Sequence, residues 1–121
     1  MPKRIMTVDD SATIRTMLNL ALTSAGYEVI EARDGDEALA MLEHDHVDLL
    51  VTDLNMPHMN GISLASAARK MPGSRFMPII MLSSESEGTR KADAKSAGVS
   101  AWLTKPFKAM QLVSVVKMVL F

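Results

Sequence analysis

Five polar side chains in this sequence are of types that could do chemistry together. Two adjacent carboxylates, Asp9 and Asp10, follow one apolar stretch, and a third carboxylate, Asp53, follows another. A hydroxyl, on Ser83, and an ammonium, on Lys105, each follow a later apolar stretch. Three carboxylates about 5 Å apart repel each other by roughly 3 kcal/mol per pair at an effective dielectric constant of about 20. A bound cation or raised pKa values must therefore relieve the repulsion if they share one site.

The ligand types indicate which cation would bind. The cluster offers oxygen atoms only, and the sequence contains no cysteine. Mg²⁺ fits best, and Mn²⁺ is the alternative. Mg²⁺ uses one or two carboxylates, keeps water molecules and takes its remaining ligands from phosphate oxygens. A carboxylate, a magnesium ion, a lysine and a hydroxyl can together hold a phosphoryl group. A carboxylate can also attack such a group and form an acyl phosphate.

These side chains can act together only if the fold brings them to one place. Strand-like apolar stretches alternate five times with helical patterns. The predicted strands span 4–8, 27–30, 48–52, 78–82 and 101–104, and the predicted helices span 12–25, 36–44, 61–71, 87–97 and 109–120. Buried strands joined by helices predict an α/β fold, a doubly wound five-stranded parallel sheet in a three-layer sandwich. Ligands bind at the carboxyl ends of such strands, where all five polar residues are expected.

Composition limits the class of protein. The 121 residues, of which 48% are hydrophobic and 22% charged, are typical of a single globular domain. We expect one domain over residues 1–121 with no output domain. The basic start, Met1 to Arg4, is followed by an apolar stretch too short for a signal peptide, and no apolar run approaches the ~18 residues of a membrane span. We therefore expect a cytoplasmic protein.

The net charge of −1 is unevenly distributed. Residues 1–60 carry 4 basic and 11 acidic side chains, a charge of −7, whereas residues 61–121 carry 9 basic and 3 acidic side chains, a charge of +6. A near-neutral total argues against nucleic-acid binding, which needs a dominant basic field. The split predicts an acidic end, which contains the three carboxylates, and a basic end.

Four motifs, each at a predicted strand end, resemble one family. They are Val8-Asp9-Asp10-Ser11, Thr52-Asp53-Leu54-Asn55-Met56-Pro57 with Gly61, Leu82-Ser83-Ser84-Glu85, and Lys105-Pro106-Phe107. Over about residues 4–120 the chain resembles the receiver domain of two-component response regulators, and most closely the single-domain chemotaxis regulators of the CheY type. The resemblance implies a flavodoxin-like fold. It also implies a phosphoacceptor switch that catalyses only its own phosphorylation and dephosphorylation and is otherwise not an enzyme.

The resemblance implies a role for each residue of the acidic site. Asp53 would be the phosphoacceptor for a phosphohistidine of a sensor kinase. Asp10 and Asp53 would ligate Mg²⁺ together with the main-chain carbonyl of Asn55, and Asp9 would act largely through water. Lys105 would pair with the phosphoryl oxygens.

The resemblance also implies residues that switch the conformation and residues that set the lifetime of the phosphoryl group. Ser83 would donate its hydroxyl to the phosphoryl group; threonine is commoner at this position. Trp102 would be the aromatic switch residue, although it is bulkier than the usual tyrosine or phenylalanine. The alternative is that Trp102 is simply a core residue. The Lys105–Pro106 bond would be cis. Asn55 and Glu85 would tune autodephosphorylation and phosphatase access.

The last third of the sequence predicts a partner face, formed by the fourth helix, fifth strand and fifth helix. Residues 87–97 offer only alanines as apolar residues, so the fourth helix should dock weakly and be mobile. The fifth helix is apolar nearly all round, with Val115 and Met118 outside its core-facing set. Basic residues rim this face: Arg90, Lys91, Lys95, Lys108 and Lys117. It would bind an acidic amphipathic segment of a target or a second copy of the chain.

The 11 methionines predict core filling, except Met56 and Met59, which could contact a partner. The expected partners are a chemotaxis-type sensor histidine kinase, an effector such as a flagellar motor switch or another kinase, and a phosphatase. Neither nucleic acid nor a membrane is expected, and the protein would be a monomer or a weak activation-dependent dimer.

Other functions remain to be weighed against signal output. The main alternative is a phosphotransfer intermediate or phosphate sink without a direct effector. An aspartyl-phosphate phosphohydrolase would need its second aspartate two residues after the nucleophile on the first strand, and Asp9-Asp10-Ser11 lacks that spacing. In a flavodoxin, the same two carboxylates would repel the cofactor phosphate. Capping of the first helix is the simplest structural role for Asp9 and Asp10.

Overall fold

The computed structural model describes residues 2–120, without the side chains of residues 85–87. Its strands are β1 (Arg4–Val8), β2 (Glu28–Ala32), β3 (Leu49–Asp53), β4 (Ile79–Ser83) and β5 (Ala101–Thr104). Its α-helices are α1 (Ala12–Ser24), α2 (Gly35–Leu42), α3 (Gly61–Arg69), α4 (Lys91–Ser96) and α5 (Ala109–Val119). Two 3₁₀ turns, Pro72–Ser74 and Glu85–Arg90, precede β4 and α4.

The five strands form one parallel sheet in the order β2-β1-β3-β4-β5. The chain moves from β1 to β2 on one side and then crosses back to β3 on the other, which creates a switch point between β1 and β3. Of the three inner strands, β3 and β4 are buried along their whole length. The predicted fold class is confirmed.

Two apolar cores lie on opposite faces of the sheet. Alternate strand residues point to opposite faces, so Ile5 and Val51 face the helices α1 and α5, whereas Met6 and Leu50 face α2 and α3. This double coverage makes the three-layer sandwich and buries β1 and β3 where they approach the site.

Side-chain caps start three of the helices directly after the strand-end loops. The Ser11 hydroxyl accepts a hydrogen bond from the Ile14 N–H at 3.3 Å, and Asp34 Oδ1 accepts one from the Glu37 N–H at 2.8 Å. Asn60 caps α3 in the same way. Short capped loops keep the carboxyl edge of the sheet compact.

The fourth helix differs from its prediction. Residues 87–97 were expected to be one helix, but a 3₁₀ turn runs to Arg90 and only Lys91–Ser96 is α-helical. Gly88 and the absence of large apolar residues explain the poor start, and Ala94 is the buried residue of α4. The weak docking is consistent with this short helix, and its mobility stays a prediction.

One arginine ties this region to the rest of the fold. The half-buried Arg69 guanidinium, at the end of α3, donates hydrogen bonds to four main-chain carbonyl oxygens: those of Ser74, Arg75, Met77 and Gly98. Burial lowers the pKa of Arg69. The guanidinium therefore joins α3, the segment before β4 and the corner after α4.

The expectation for the methionines is partly wrong. Met56 is buried, Met59 is partly buried beside Gly35 so that its contact with a partner stays a prediction, and Met110 and Met118 of α5 are 80% and 70% exposed. Met110 and Met118 lie on the outer side of α5, where a helix apolar all round must expose part of its surface.

The uneven charge becomes a spatial asymmetry. The acidic first half of the sequence supplies β1, β2, β3, α1 and α2, and the basic second half supplies α3, β4, α4, β5 and α5. The strand order therefore puts the negative charge at the β2 side of the sheet and the positive charge at the β5 side. None of the helices in the described residues is long and apolar enough to cross a membrane.

Candidate functional site

The carboxyl edge of the sheet brings four of the predicted residues together. One carboxylate oxygen each from Asp9, Asp10 and Asp53 lie within 4.8 Å of one another. Lys105 Nζ is 2.9 Å from Asp53 Oδ1 and 3.7 Å from Asp9 Oδ2. The group thus contains three carboxylates and one ammonium. Its formal charge is −2 when all four side chains are ionised.

Asp9 and Asp10 occupy different environments although they are adjacent. Asp9 is 1% exposed, and its Oδ1 accepts a hydrogen bond from the Ser11 N–H at 2.9 Å. Its Oδ2 is buried and has no hydrogen-bond partner among the described residues. The Asp10 side chain is exposed. Helix capping is done by Ser11, so the simplest structural role for these two aspartates does not account for them.

Lys105 is held in its charged form. Burial alone would lower its pKa, but the hydrogen bond and charge of Asp53 and the charge of Asp9 outweigh burial and raise the pKa of Lys105. The Lys105 N–H donates to the Ser83 carbonyl at 2.6 Å, which fixes the end of β5 beside the end of β4. The Lys105–Pro106 peptide bond is cis, as the resemblance implied.

The position of Asp53 depends on a glycine. A Cβ on Gly61 would collide with the Asp53 carbonyl oxygen and approach Met81 Sδ to 2.6 Å. Only glycine lets the start of α3 come this close to the end of β3. The intervening loop exposes Asn55 and turns sharply at His58, whose φ is 69°.

Ser83, the last residue of β4, and Trp102, in β5, have polar atoms that are unused within the described residues. The Ser83 hydroxyl, on a fully buried residue, and the Trp102 indole N–H are both buried without a hydrogen-bond partner within the described part of the chain. Lys91 Nζ lies 5.8 Å from the centroid of the Trp102 ring. The Glu85 side chain, predicted to tune phosphate lifetime, lies outside the described residues.

The sequence reasoning missed Arg15. This arginine of α1 donates a hydrogen bond from Nη1 to the Asp9 carbonyl at 2.6 Å, and its Nε lies 3.3 Å from Glu31 Oε1. A single arginine on an amphipathic helix carries no sequence signal for such a contact, because the contact depends on β2 lying beside β1.

The residues fit a hard divalent cation. All the ligand atoms are carboxylate or carbonyl oxygens, which suit Mg²⁺ and Mn²⁺. The buried Asp9 Oδ2 has no hydrogen-bond donor, and one lysine cannot neutralise three carboxylates. A divalent cation at this position would supply the missing positive charge.

Comparison with known proteins identifies the family. The profile of the response regulator receiver domain matches residues 5–117. The chain belongs to the response regulator receiver family. It is 38% identical to the chemotaxis protein CheY of Pseudomonas aeruginosa over 110 residues, which are 90% of this chain and 89% of that protein.

Solved structures agree with the sequence comparison. The chemotaxis protein CheY4 of Vibrio cholerae superposes with a TM-score of 0.95 at 38% identity, over 99% of this chain and all of that one. The receiver domain of a sensor histidine kinase from Pseudomonas aeruginosa PAO1, with a magnesium ion in its active site cleft, superposes with a TM-score of 0.89 at 27% identity, over 98% of each chain. The chain spans about half the length of three transcriptional regulators that it also matches.

Family membership defines the general role of the chain. It is a CheY-like receiver domain of two-component signalling, and receiver domains are phosphoacceptor switches, not classical enzymes. Receiver domains bind Mg²⁺ at an acidic pocket, and CheY-like ones interact with histidine kinases and effectors. The acidic cluster of Asp9, Asp10 and Asp53 is the corresponding feature of this chain.

Proposed function

We propose that Asp53 accepts a phosphoryl group from a phosphohistidine of a sensor histidine kinase. The observation that carries the proposal is the contact of Asp53 Oδ1 with Lys105 Nζ at 2.9 Å, at a strand end shared with Asp9 and Asp10. A carboxylate held beside an ammonium and two further carboxylates suits phosphoryl transfer, because each group has a separate task there.

The transfer would proceed by direct displacement. An oxygen of the Asp53 carboxylate attacks the phosphorus atom, the P–N bond to the imidazole breaks, and the leaving nitrogen keeps the electron pair and takes up a proton. Lys105, whose pKa is raised because Asp53 and Asp9 outweigh the effect of burial, stays charged and pairs with the phosphoryl oxygens. Mg²⁺ bound by Asp10, Asp53 and the Asn55 carbonyl, with Asp9 acting through water, would neutralise charge on the phosphoryl group.

Phosphorylation would then change Ser83 and Trp102 and, through them, the predicted partner face. In the structure this face is formed by α4, β5 and α5. The buried Ser83 hydroxyl lacks a partner, and a phosphoryl oxygen on Asp53 would provide an acceptor for it. Lys91 and Lys95 line a shallow cavity of about 260 Å³ with Trp102, and Met118 is exposed on α5. A basic rim around apolar side chains supports binding of an acidic amphipathic segment.

Similarity to chemotaxis proteins supports a role in chemotaxis signalling and a cytoplasmic location. The effector would be a motor switch or another kinase, and Asn55 and Glu85 would set the lifetime of the phosphoryl group. A phosphotransfer intermediate or phosphate sink would use the same Asp53 chemistry but would need no change at the partner face.

The test is phosphorylation of the protein by a small phosphoryl donor with Mg²⁺, followed by intact mass and Trp102 fluorescence. The wild type should gain one phosphoryl group, and Asp53→Asn should gain none. Asp48→Asn, which changes a carboxylate before β3 at the opposite edge of the sheet, is the matched control and should be phosphorylated normally. Phosphorylation of Asp53→Asn, or none of the wild type at any Mg²⁺ concentration, would refute the proposal. An adduct on Asp53 without a fluorescence change would favour the phosphate sink.

A further inference from the structure

The contacts of Arg15 connect the acidic site to the edge of the sheet. Its side chain, 14% exposed, reaches back past the start of α1 and donates to the Asp9 carbonyl at 2.6 Å. Glu31 of β2 holds the same guanidinium at 3.3 Å, and Asn19 Nδ2 donates to the other carboxylate oxygen of Glu31 at 3.0 Å. Arg15 is thus fixed between a strand and the peptide that links Asp9 to Asp10.

The peptide between Asp9 and Asp10 determines where the main chain of Asp10 lies. Asp9 is anchored by the Ser11 N–H and Asp53 by Lys105. Within the described residues no hydrogen bond or ion pair holds the Asp10 carboxylate, so the position of its main chain alone limits where the carboxylate can reach. The main chain before it is fixed by Arg15 at the Asp9 carbonyl and by the Asp9 N–H, which donates to Ala32 at 3.3 Å.

The location of Arg15 is electrostatically unfavourable for the helix. It lies four residues after the N-cap Ser11, and the partial positive charge of a helix N-terminus disfavours a cation there. The contacts with the Asp9 carbonyl and with Glu31 offset that disadvantage, and the first of them is made beside the acidic site.

We propose that Arg15 is a positioning residue for divalent-cation binding: by holding the Asp9–Asp10 peptide it aims the Asp10 carboxylate at the cation. This inference rests on the proposed function, since it requires that the acidic cluster bind Mg²⁺. Residues that orient metal ligands typically change metal affinity by about 10- to 100-fold when they are replaced.

The sign of the effect separates positioning from charge. Arg15 is a cation near a cation site, so its long-range charge opposes metal binding. Removing that charge would strengthen binding if electrostatics alone mattered. Positioning predicts the reverse, because Asp10 would sample orientations that do not bind.

The experiment measures the dissociation constant for Mn²⁺ by electron paramagnetic resonance of the free ion, with Mg²⁺ added as competitor. The variants are Arg15→Met, which loses both contacts, and Arg15→Lys, which keeps the charge but cannot reproduce the fork of the guanidinium. The matched control is Arg33→Met, which removes one positive charge from an exposed pair with Glu37. Circular dichroism establishes that each variant is folded.

Arg15→Met should bind Mn²⁺ and Mg²⁺ about tenfold more weakly, Arg15→Lys should lie between it and the wild type, and Arg33→Met should match the wild type. Binding by Arg15→Met that equals or exceeds wild-type binding overturns the inference and leaves the proposed function intact. If Arg15→Met does not fold, wild-type affinity in Arg15→Lys overturns it equally. No binding by the wild type overturns the inference together with the proposed metal site.

Discussion

Replacing Asp9 with asparagine should stabilise the protein when no divalent cation is present. Most substitutions of a buried residue destabilise a fold, so the expected direction is unusual. The reason is the crowding of carboxylates around Asp9, whose Oδ2 is buried without a hydrogen bond among the described residues. Asparagine keeps an oxygen that can accept from the Ser11 N–H and removes the negative charge.

The magnitude follows from the distances. Asp9 has a carboxylate oxygen within 4.8 Å of one from Asp10 and one from Asp53, which corresponds to at least about 3.5 kcal/mol of repulsion per pair at an effective dielectric constant of about 20. Attraction to Lys105 Nζ at 3.7 Å returns about 4.5 kcal/mol. The Asp9 charge is therefore unfavourable by about 2 to 3 kcal/mol, which is the expected increase in the free energy of unfolding.

The assay is urea unfolding of wild type and Asp9→Asn with a chelator and again with saturating Mg²⁺. Mg²⁺ should stabilise the wild type more than the variant and so reduce the difference between them, because ligand binding to the folded state adds to its stability. Asp48→Asn is the control at the opposite edge. Asp48 accepts hydrogen bonds from the Arg4 N–H and from His46, both at 2.8 Å, so its replacement should destabilise the protein by about 1 kcal/mol.

A lower unfolding midpoint for Asp9→Asn than for the wild type in the presence of chelator would refute this reasoning. It would mean that Lys105 compensates the three carboxylates fully and that the site is stable without a cation. An equal response of both proteins to Mg²⁺ would show that Asp9 does not contribute to cation binding.

Three further predictions concern the frame of the site. Arg69→Met should lower the free energy of unfolding by about 3 kcal/mol, measured by urea unfolding, since four carbonyl oxygens lose a charged donor, and Arg69→Lys should restore only part of it. Gly61→Ala should cost about 1–3 kcal/mol and slow phosphorylation by the small donor, because the new methyl group displaces the Asp53 carbonyl. Burial raises the pKa of Asp48, but its hydrogen bonds outweigh burial and lower the pKa, so its stabilisation is present above the ordinary pKa and lost in acid. The difference between wild type and Asp48→Asn should therefore shrink as the pH falls from about 5 to about 3.

The fold could be predicted because the two periodicities in the sequence are clear. Continuous apolar stretches followed by helical patterns permit few arrangements other than a parallel sheet with right-handed crossovers. Strand ends were predicted within two residues, the largest error being β2, which continues to Ala32 where 30 was expected. Glu31 of this edge strand forms an ion pair with Arg15. Because Glu31 is polar, it interrupts the apolar pattern from which the end of the strand was predicted.

The candidate site was predictable only in its main members. Aspartates at the ends of β1 and β3 and a lysine after β5 follow from the rule that ligands bind at the carboxyl ends of strands. The support by Arg15 depends on a rotamer and on a neighbouring strand, so no spacing in the sequence reveals it. The unpartnered atoms of Ser83 and Trp102 are also invisible in the sequence, since a hydroxyl or an indole N–H normally finds a partner when buried.

The groups that destabilise the unliganded site are the same groups that a bound cation or phosphoryl group would pair with. Like charges at Asp9, Asp10 and Asp53, the unpaired hydroxyl of Ser83 and the unpaired N–H of Trp102 each raise the free energy of the unliganded protein. Fully buried β3 and β4 keep Asp53 and Ser83, their last residues, in place despite that cost. A cation and a phosphoryl group would lower the free energy of the conformation that satisfies them, and only such a difference between conformations can shift their populations. Under the proposed function, this instability is what would allow occupation of the site to move the face of α4, β5 and α5.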